Sequence, residues 1–159
     1  MTKKCGLLAM VGMLLATACG PGEEQTAAQD PEALRLARAD SVATAEALYD
    51  SAVFDTIQWE SPEARLERGA LVWRVSCVKC HGMQGQGDGN LATEHAFQVP
   101  DMVVADWSWA GDPAAIRHRV FVGHESEMPA WGLYGLAYRD VDAVANHIDE
   151  VLRAPAEEE

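Results

Sequence analysis

The chain has 159 residues, 12 of them lysine or arginine against 25 aspartates and glutamates, for a formal net charge of −13. A surplus of acid on that scale excludes a basic face for nucleic acid or for an anionic membrane surface. With four cysteines and five histidines in a chain of about one domain's length, metal or redox chemistry has few places to sit.

Residues 1–18 come first. Lys3 and Lys4 form a basic start, Gly6 to Ala18 is an apolar stretch too short to span a bilayer, and the small residues Thr17 and Ala18 precede Cys19. This is the pattern of an export signal, and with Leu15 and Ala16 just upstream it resembles a bacterial lipoprotein signal, in which Cys19 is acylated and becomes the mature N-terminus. The expected location is therefore outside the cytoplasm, on the periplasmic or extracytoplasmic face, with a lipid anchor in a bacterial membrane. Removing Lys3 and Lys4 takes the formal charge to −15 and leaves Lys79 as the only lysine. Cys5 departs with the signal and Cys19 takes the lipid, so only Cys77 and Cys80 await an explanation. Residues 19–30 are the lipidated cysteine and a small, polar tether whose last eleven residues reach at most about 38 Å extended.

Asp30-Pro31-Glu32 is a helix start, and Leu34, Ala37, Ser41, Ala45 and Leu48 lie along one side of a helix running to about Tyr49. The stripe is mostly alanine and buries little area, so this helix is expected to lie across a larger domain, with the connector pinned by Val53, Phe54, Ile57 and Trp59; together they make a segment of residues 31–60. Ser61-Pro62-Glu63 opens a second helix carrying Leu66, Ala70 and Trp73 directly into Cys77, and Gly69 on that stripe hints at close approach by another helix. Residues between Gly82 and Gly111 read as long loops. Asp112-Pro113 opens a short helix through Ile116, Val120 and Phe121, closed by Gly123. A last helix is expected from Asp140, through Val141, Val144, Ala145, Ile148 and Val151, ahead of Pro155 and an acidic tail at 154–159. No alternating run or hairpin signal interrupts these segments, so residues 61–153 read as a small all-α domain.

A domain so small and so rich in loop needs a staple or a prosthetic group to complete its core. Cys77-Val78-Lys79-Cys80-His81 supplies the attachment. Two thiols three positions apart can add to the two vinyl groups on one edge of a porphyrin, and the following histidine then lies under the iron. A thioredoxin-type pair would need a βαβ context and a zinc site a second pair of ligands; neither is present in the sequence. Gly85, Gly87 and Gly89 are not followed by the Gly-Lys-Ser/Thr of a phosphate loop, and are read as letting the backbone turn beside a bulky macrocycle. With His81 as one axial ligand, the candidates for the other are Met102, Met128, His95, His118 and His124.

Residues 64–152 resemble the class I monohaem c-type cytochromes of bacteria, of the membrane-anchored respiratory kind. The resemblance rests on RGALVWRVSCVKCHGMQGQGDG, on VPDM at 99–102 with Trp107 downstream, and on VGHESEMPAW at 122–131. It implies a fold of three main helices and long loops around one covalent haem c, here with an extra N-terminal helix. It also implies that Gly69 and Trp73 pack against the last helix, where Val144, His147 and Ile148 stand in place of the family's aromatic. Met128 matches the family's sixth ligand, Met102 an apolar residue against the porphyrin, Pro100 the residue whose carbonyl receives the His81 ring N–H, and Trp107 a tryptophan near a propionate.

A thioether opposite an imidazole fills both axial positions, so no small-molecule substrate binds the iron. The expected function is one-electron transfer without catalysis. As the resemblance implies, the chain would carry electrons in a respiratory chain from a quinol-oxidising complex to a haem-copper oxidase. Two other readings stay open: a fixed cytochrome subunit of a membrane quinol oxidoreductase or dehydrogenase, docked through the N-terminal helix, and a ligand-binding or peroxidase-like haem protein.

Overall fold

The computed structural model describes residues 30–154; the export signal, Cys19 and nearly all of the tether and acidic tail lie outside the described residues. Among the described residues the architecture is all-helical, with six α-helices and no strand.

Helix α1 (Pro31–Leu48) begins where the capping chemistry dictates: the Asp30 carboxylate accepts the backbone N–H of Glu32 at 3.0 Å, and Pro31 occupies the first turn, where no donor is needed. Only Ala45 is fully buried on it, and Val42 and Tyr49 pack on the core from its last turns. The expected stripe is corrected here: Leu34, Ala37 and Leu48 are exposed and Ser41 is half-buried, so α1 lies on the domain through Val42, Ala45 and Tyr49 instead.

The connector is held by the side chains that the sequence singles out. In a 3-10 turn at Ser51–Thr56 and the four residues after it, Val53, Phe54, Ile57 and Trp59 are the ones not exposed. Phe54 meets Tyr138 edge-on with ring centres 5.1 Å apart, and Trp59 donates its indole N–H to Asp142 at 2.7 Å. Asp142 is buried, and the Arg117 guanidinium 2.7 Å away compensates its charge. Tyr138 closes the junction: its hydroxyl donates to the Leu48 carbonyl and accepts from the Asp50 N–H.

Helix α2 (Pro62–Val72) starts on the Ser61 hydroxyl, which accepts the Ala64 N–H. The sequence predicts one uninterrupted helix into Cys77; the structure instead widens into a π-turn at Trp73–Cys77 before α3 (Val78–His81) resumes the α-helix. One extra residue in a turn rotates everything after it by about 100°. Gly69, Val72, Trp73 and Cys77 are buried along one face, and the rotation changes the phase of Cys80 and His81, which follow the wide turn.

Two further expectations are corrected. The stretch expected to be loop contains a six-residue helix, α4 (Asn90–His95), whose start at Gly89 has no side-chain cap and so leaves no signal in the sequence. After α5 (Pro113–Val122), capped by Asp112 and closed by Gly123 as anticipated, the last helix α6 (Tyr138–His147) begins two residues before Asp140. Asp140 is not the cap. It sits in the first turn and pairs with Arg68 of α2 at 2.7 Å, satisfying the helix dipole and the inter-helix contact at once. A second π-turn, Ile148–Leu152, ends the element.

Helix α6 is the centre of the domain, buried continuously from Val141 to Ile148. Its most extensive contact is with α2, at Gly69, where the backbones come so close that a Cβ on residue 69 would run into the Ala143 carbonyl and stand 2.6 Å from the His147 Cβ. His147 takes the place of the expected aromatic, its ring centre 6.4 Å from that of Trp73. Alanine at position 69 would gain about 1 kcal/mol of helix propensity but force the crossing apart at a typical overpacking cost of about 1–3 kcal/mol. Because backbone atoms must move, the cost wins: Gly69→Ala is expected to lower stability by about 1–2 kcal/mol, read as a lower denaturant midpoint at unchanged slope. An unchanged or raised midpoint would show that the helices do not depend on that contact.

Candidate functional site

Cys77 closes the π-turn with its thiol buried, and burial, followed by the nearby Cys80, pushes its pKa up to about 12. Cys80 is half-buried; desolvation raises it first and the Glu127 carboxylate second, against a smaller opposing pull from Lys79. Neither forms a disulfide, and neither is poised as the thiolate that redox exchange or zinc binding requires. Among the described residues no group of three or more His, Cys, Asp or Glu side chains is gathered to hold a metal ion, so a zinc site would find no further ligands.

His81 follows on the last residue of α3, its ring mostly buried beside Trp73 at a centroid distance of 5.8 Å. Burial pushes its pKa down to about 4, so the imidazole is neutral under ordinary conditions, the form that ligates iron. Its Nδ1 is fully buried without a hydrogen-bond partner. No bond to the Pro100 carbonyl is present, and Pro100 is exposed.

The glycine-rich segment follows His81 directly. It folds back on the attachment turn: Gly87 donates to the His81 carbonyl at 2.9 Å and Gly89 to the Cys80 carbonyl at 3.2 Å, satisfying the helix's free acceptors. Gly87 has φ +78°, and a Cβ there would collide with the Val99 carbonyl. Its glycine serves chain-on-chain approach, which fixes the backbone of Cys80 and His81.

The second wall of the site is the loop after α5. Gly123 turns the chain at φ +78°, where a Cβ would be 2.7 Å from both the Met128 carbonyl and the Ala130 nitrogen. His124 N–H then donates to the Met128 carbonyl at 2.9 Å and Gly132 N–H to that of Phe121 at 3.0 Å, so the loop returns on itself. Met128 is half-buried on the same apolar cluster that contains Cys77, Met102 and Ala130, with Trp107 packed at its edge. The other axial candidates are engaged elsewhere: His118 with Glu46 at 2.9 Å, His124 with Ser126 at 2.7 Å, His95 stacked on Phe97. Met102 is fully buried as an apolar wall, its N–H bonded to Gly85.

Sequence reasoning missed the arginines that organise these loops. Arg153 donates to the Met102 carbonyl and lies over the Trp107 ring at 5.3 Å, and Arg119 donates to the Gly123 carbonyl at 3.1 Å. Their partners are distant or main-chain atoms, which no spacing rule reveals. Beside the turn that carries Cys77, a cleft of about 320 Å³ opens between Leu71, Val75, Trp131 and Tyr134. Two neutral unpaired thiols, a buried neutral imidazole with an unpartnered nitrogen, and two methionines in one apolar cluster are the set that a covalent haem needs.

The comparisons agree with that chemistry. The family described as cytochrome c oxidase, cbb3-type, subunit III matches residues 64–148, from α2 to the end of α6. The chain is 34% identical over 68 residues to the cbb3-type cytochrome c oxidase subunit CcoP of Azospirillum brasilense, covering 43% of this chain and 22% of that protein. It is 27% identical over 109 residues to the CcoP subunit of Rhodobacter capsulatus, covering 64% and 35%. Cytochrome c-554(547) of Halothiobacillus neapolitanus is 32% identical over 83 residues, half of this chain and 89% of that one. The chain thus spans about a fifth to a third of the length of the CcoP subunits it matches. No solved structure matches. The protein belongs to this cytochrome c family of cbb3-type subunit III, a class I, all-helical electron-transfer cytochrome with covalently bound haem c.

Proposed function

We propose that this chain is the cytochrome of a membrane oxidoreductase complex, held there as a subunit, with the haem on Cys77 and Cys80 and with His81 and Met128 on its iron. The observation that carries the subunit reading is the match of residues 64–148 to the cbb3 oxidase subunit family. The reading placed first on sequence, a carrier shuttling between a quinol-oxidising complex and a haem-copper oxidase, yields to it. That carrier keeps one supporting observation, the single-domain cytochrome c-554(547), 89% of which the chain covers.

Bound haem c supplies an iron that takes up and gives away one electron. The protein's part is to hold both axial donors and keep water out. His81 offers a neutral imidazole because burial resists its protonation. Met128 offers an uncharged thioether from a loop that Gly123 turns back on itself. A soft neutral donor in apolar surroundings favours the reduced iron and raises its potential. With both positions filled, a substrate has no place on the metal, and electron transfer rather than catalysis is the function.

Among the described residues no helix is long and apolar enough to cross a membrane. We assign attachment to acylation of Cys19, where at least two acyl chains at roughly 0.8 kcal/mol per buried methylene hold a protein durably. The acceptor is an oxidase and the donor a quinol-oxidising centre.

Met128→Leu is expected to abolish the weak long-wavelength charge-transfer band of the oxidised protein and lower its potential on the order of 0.1 V, a modest part of the ~0.8 V that axial ligands span. If Met102→Leu does this and Met128→Leu does not, Met102 is the ligand. For the setting, tagged protein extracted in mild detergent should bring oxidase or quinol-oxidising subunits with it, while Cys19→Ser should leave unprocessed precursor or release the protein without detergent. Wild type recovered alone and in the soluble fraction contradicts both the subunit reading and the anchor.

A further inference from the structure

The extra N-terminal helix does more than dock. Arg38, on the second turn of α1, reaches the loop that carries Met128: its Nη1 donates to the Ser126 carbonyl at 2.9 Å and to Glu127 Oε1 at 3.1 Å, and its Nη2 meets Glu127 Oε2 at 2.8 Å. The fork therefore grips the two residues directly before Met128. Within the loop, the only side-chain bonds are local ones between His124 and Ser126. Among the described residues, Arg38 supplies every hydrogen bond that reaches residues 124–129 from outside the loop. Arg119 secures Gly123, the loop's root, but nothing beyond it. Between α1 and the loop a small cleft of about 120 Å³, lined by Ser41, Val42, Pro129 and Tyr134, separates the two surfaces, so packing there is incomplete and the arginine bridges it.

We infer that Arg38 is a positioning residue for the sixth ligand, and that α1 is a latch holding the Met128 loop closed. The inference rests on Met128 being that ligand. A bidentate guanidinium–carboxylate pair with an added carbonyl bond has the geometry in which a half-exposed ion pair still has measurable strength. Closure of the loop competes with any outside ligand for the iron, so weakening closure by some factor tightens an outside ligand by the same factor. Because α1 follows the tether in sequence, whatever moves α1 in the assembled complex also changes how firmly the sixth position is held.

The test uses imidazole, mostly uncharged at pH 8, titrated into the oxidised holoprotein and followed in the visible spectrum. Arg38→Ala should tighten imidazole binding roughly two- to fivefold and weaken the charge-transfer band, with Glu127→Gln moving the same way and Arg38→Lys falling between. Glu46→Gln is the control: it neutralises the partner of His118 between α1 and α5 and touches nothing in the loop. It should leave imidazole affinity at the wild-type value. Wild-type affinity in Arg38→Ala, or an equal gain in Glu46→Gln, overturns the latch. Met128→Leu separates the two levels of the argument. If it tightens imidazole strongly while Arg38→Ala does not, the latch is wrong and the ligand right; if it has no effect, the ligand assignment fails and takes the latch with it.

Discussion

The contact of α2 with α6 at Gly69 sets the position of everything that follows in the chain. Backbone approach at that glycine puts the His147 side chain against Trp73, and Trp73 in turn stacks beside His81. The π-turn between Trp73 and Cys77 is the local adjustment that lets one helix satisfy two demands, packing on α6 and presenting two thiols and an imidazole. The attachment turn is then a rigid extension of the core, with its carbonyls satisfied by the glycine segment folding back.

Opposite that fixed wall stands a softer one. The loop from Gly123 to Ala130 has a tight root but few internal bonds, and its most exposed part, His124 to Ser126, depends on α1. Rigidity is thus concentrated on the covalent side and adjustability on the methionine side. That division suits an electron-transfer subunit: the attachment stays fixed, whereas the bond proposed for Met128 would set the potential and would be adjusted by what touches the loop.

Much of this was legible in the sequence because the relevant physics is local. Capping by Asp30, Ser61 and Asp112 and prolines in first turns act within a few residues, and each appears in the structure as read. Gly69 announced a close approach simply by being costly in a helix. What was hidden depends on partners far along the chain. Asp140 has the composition of a cap but serves Arg68; Arg38, Arg119 and Arg153 find their carbonyls only after folding. The uncapped helix α4 and the two π-turns left no trace because a six-residue helix and a single wide turn add too little periodicity to read.

On the proposed ligation the iron would be closed on both faces, and that closure separates an electron-transfer cytochrome from a ligand-binding or peroxidase-like haem protein, which needs a free coordination position. The most direct measurement is the visible spectrum of the dithionite-reduced wild-type protein before and after carbon monoxide. With His81 and Met128 both in place the two spectra coincide; a prompt shift of the main absorption band on adding carbon monoxide would show an open position and contradict the account.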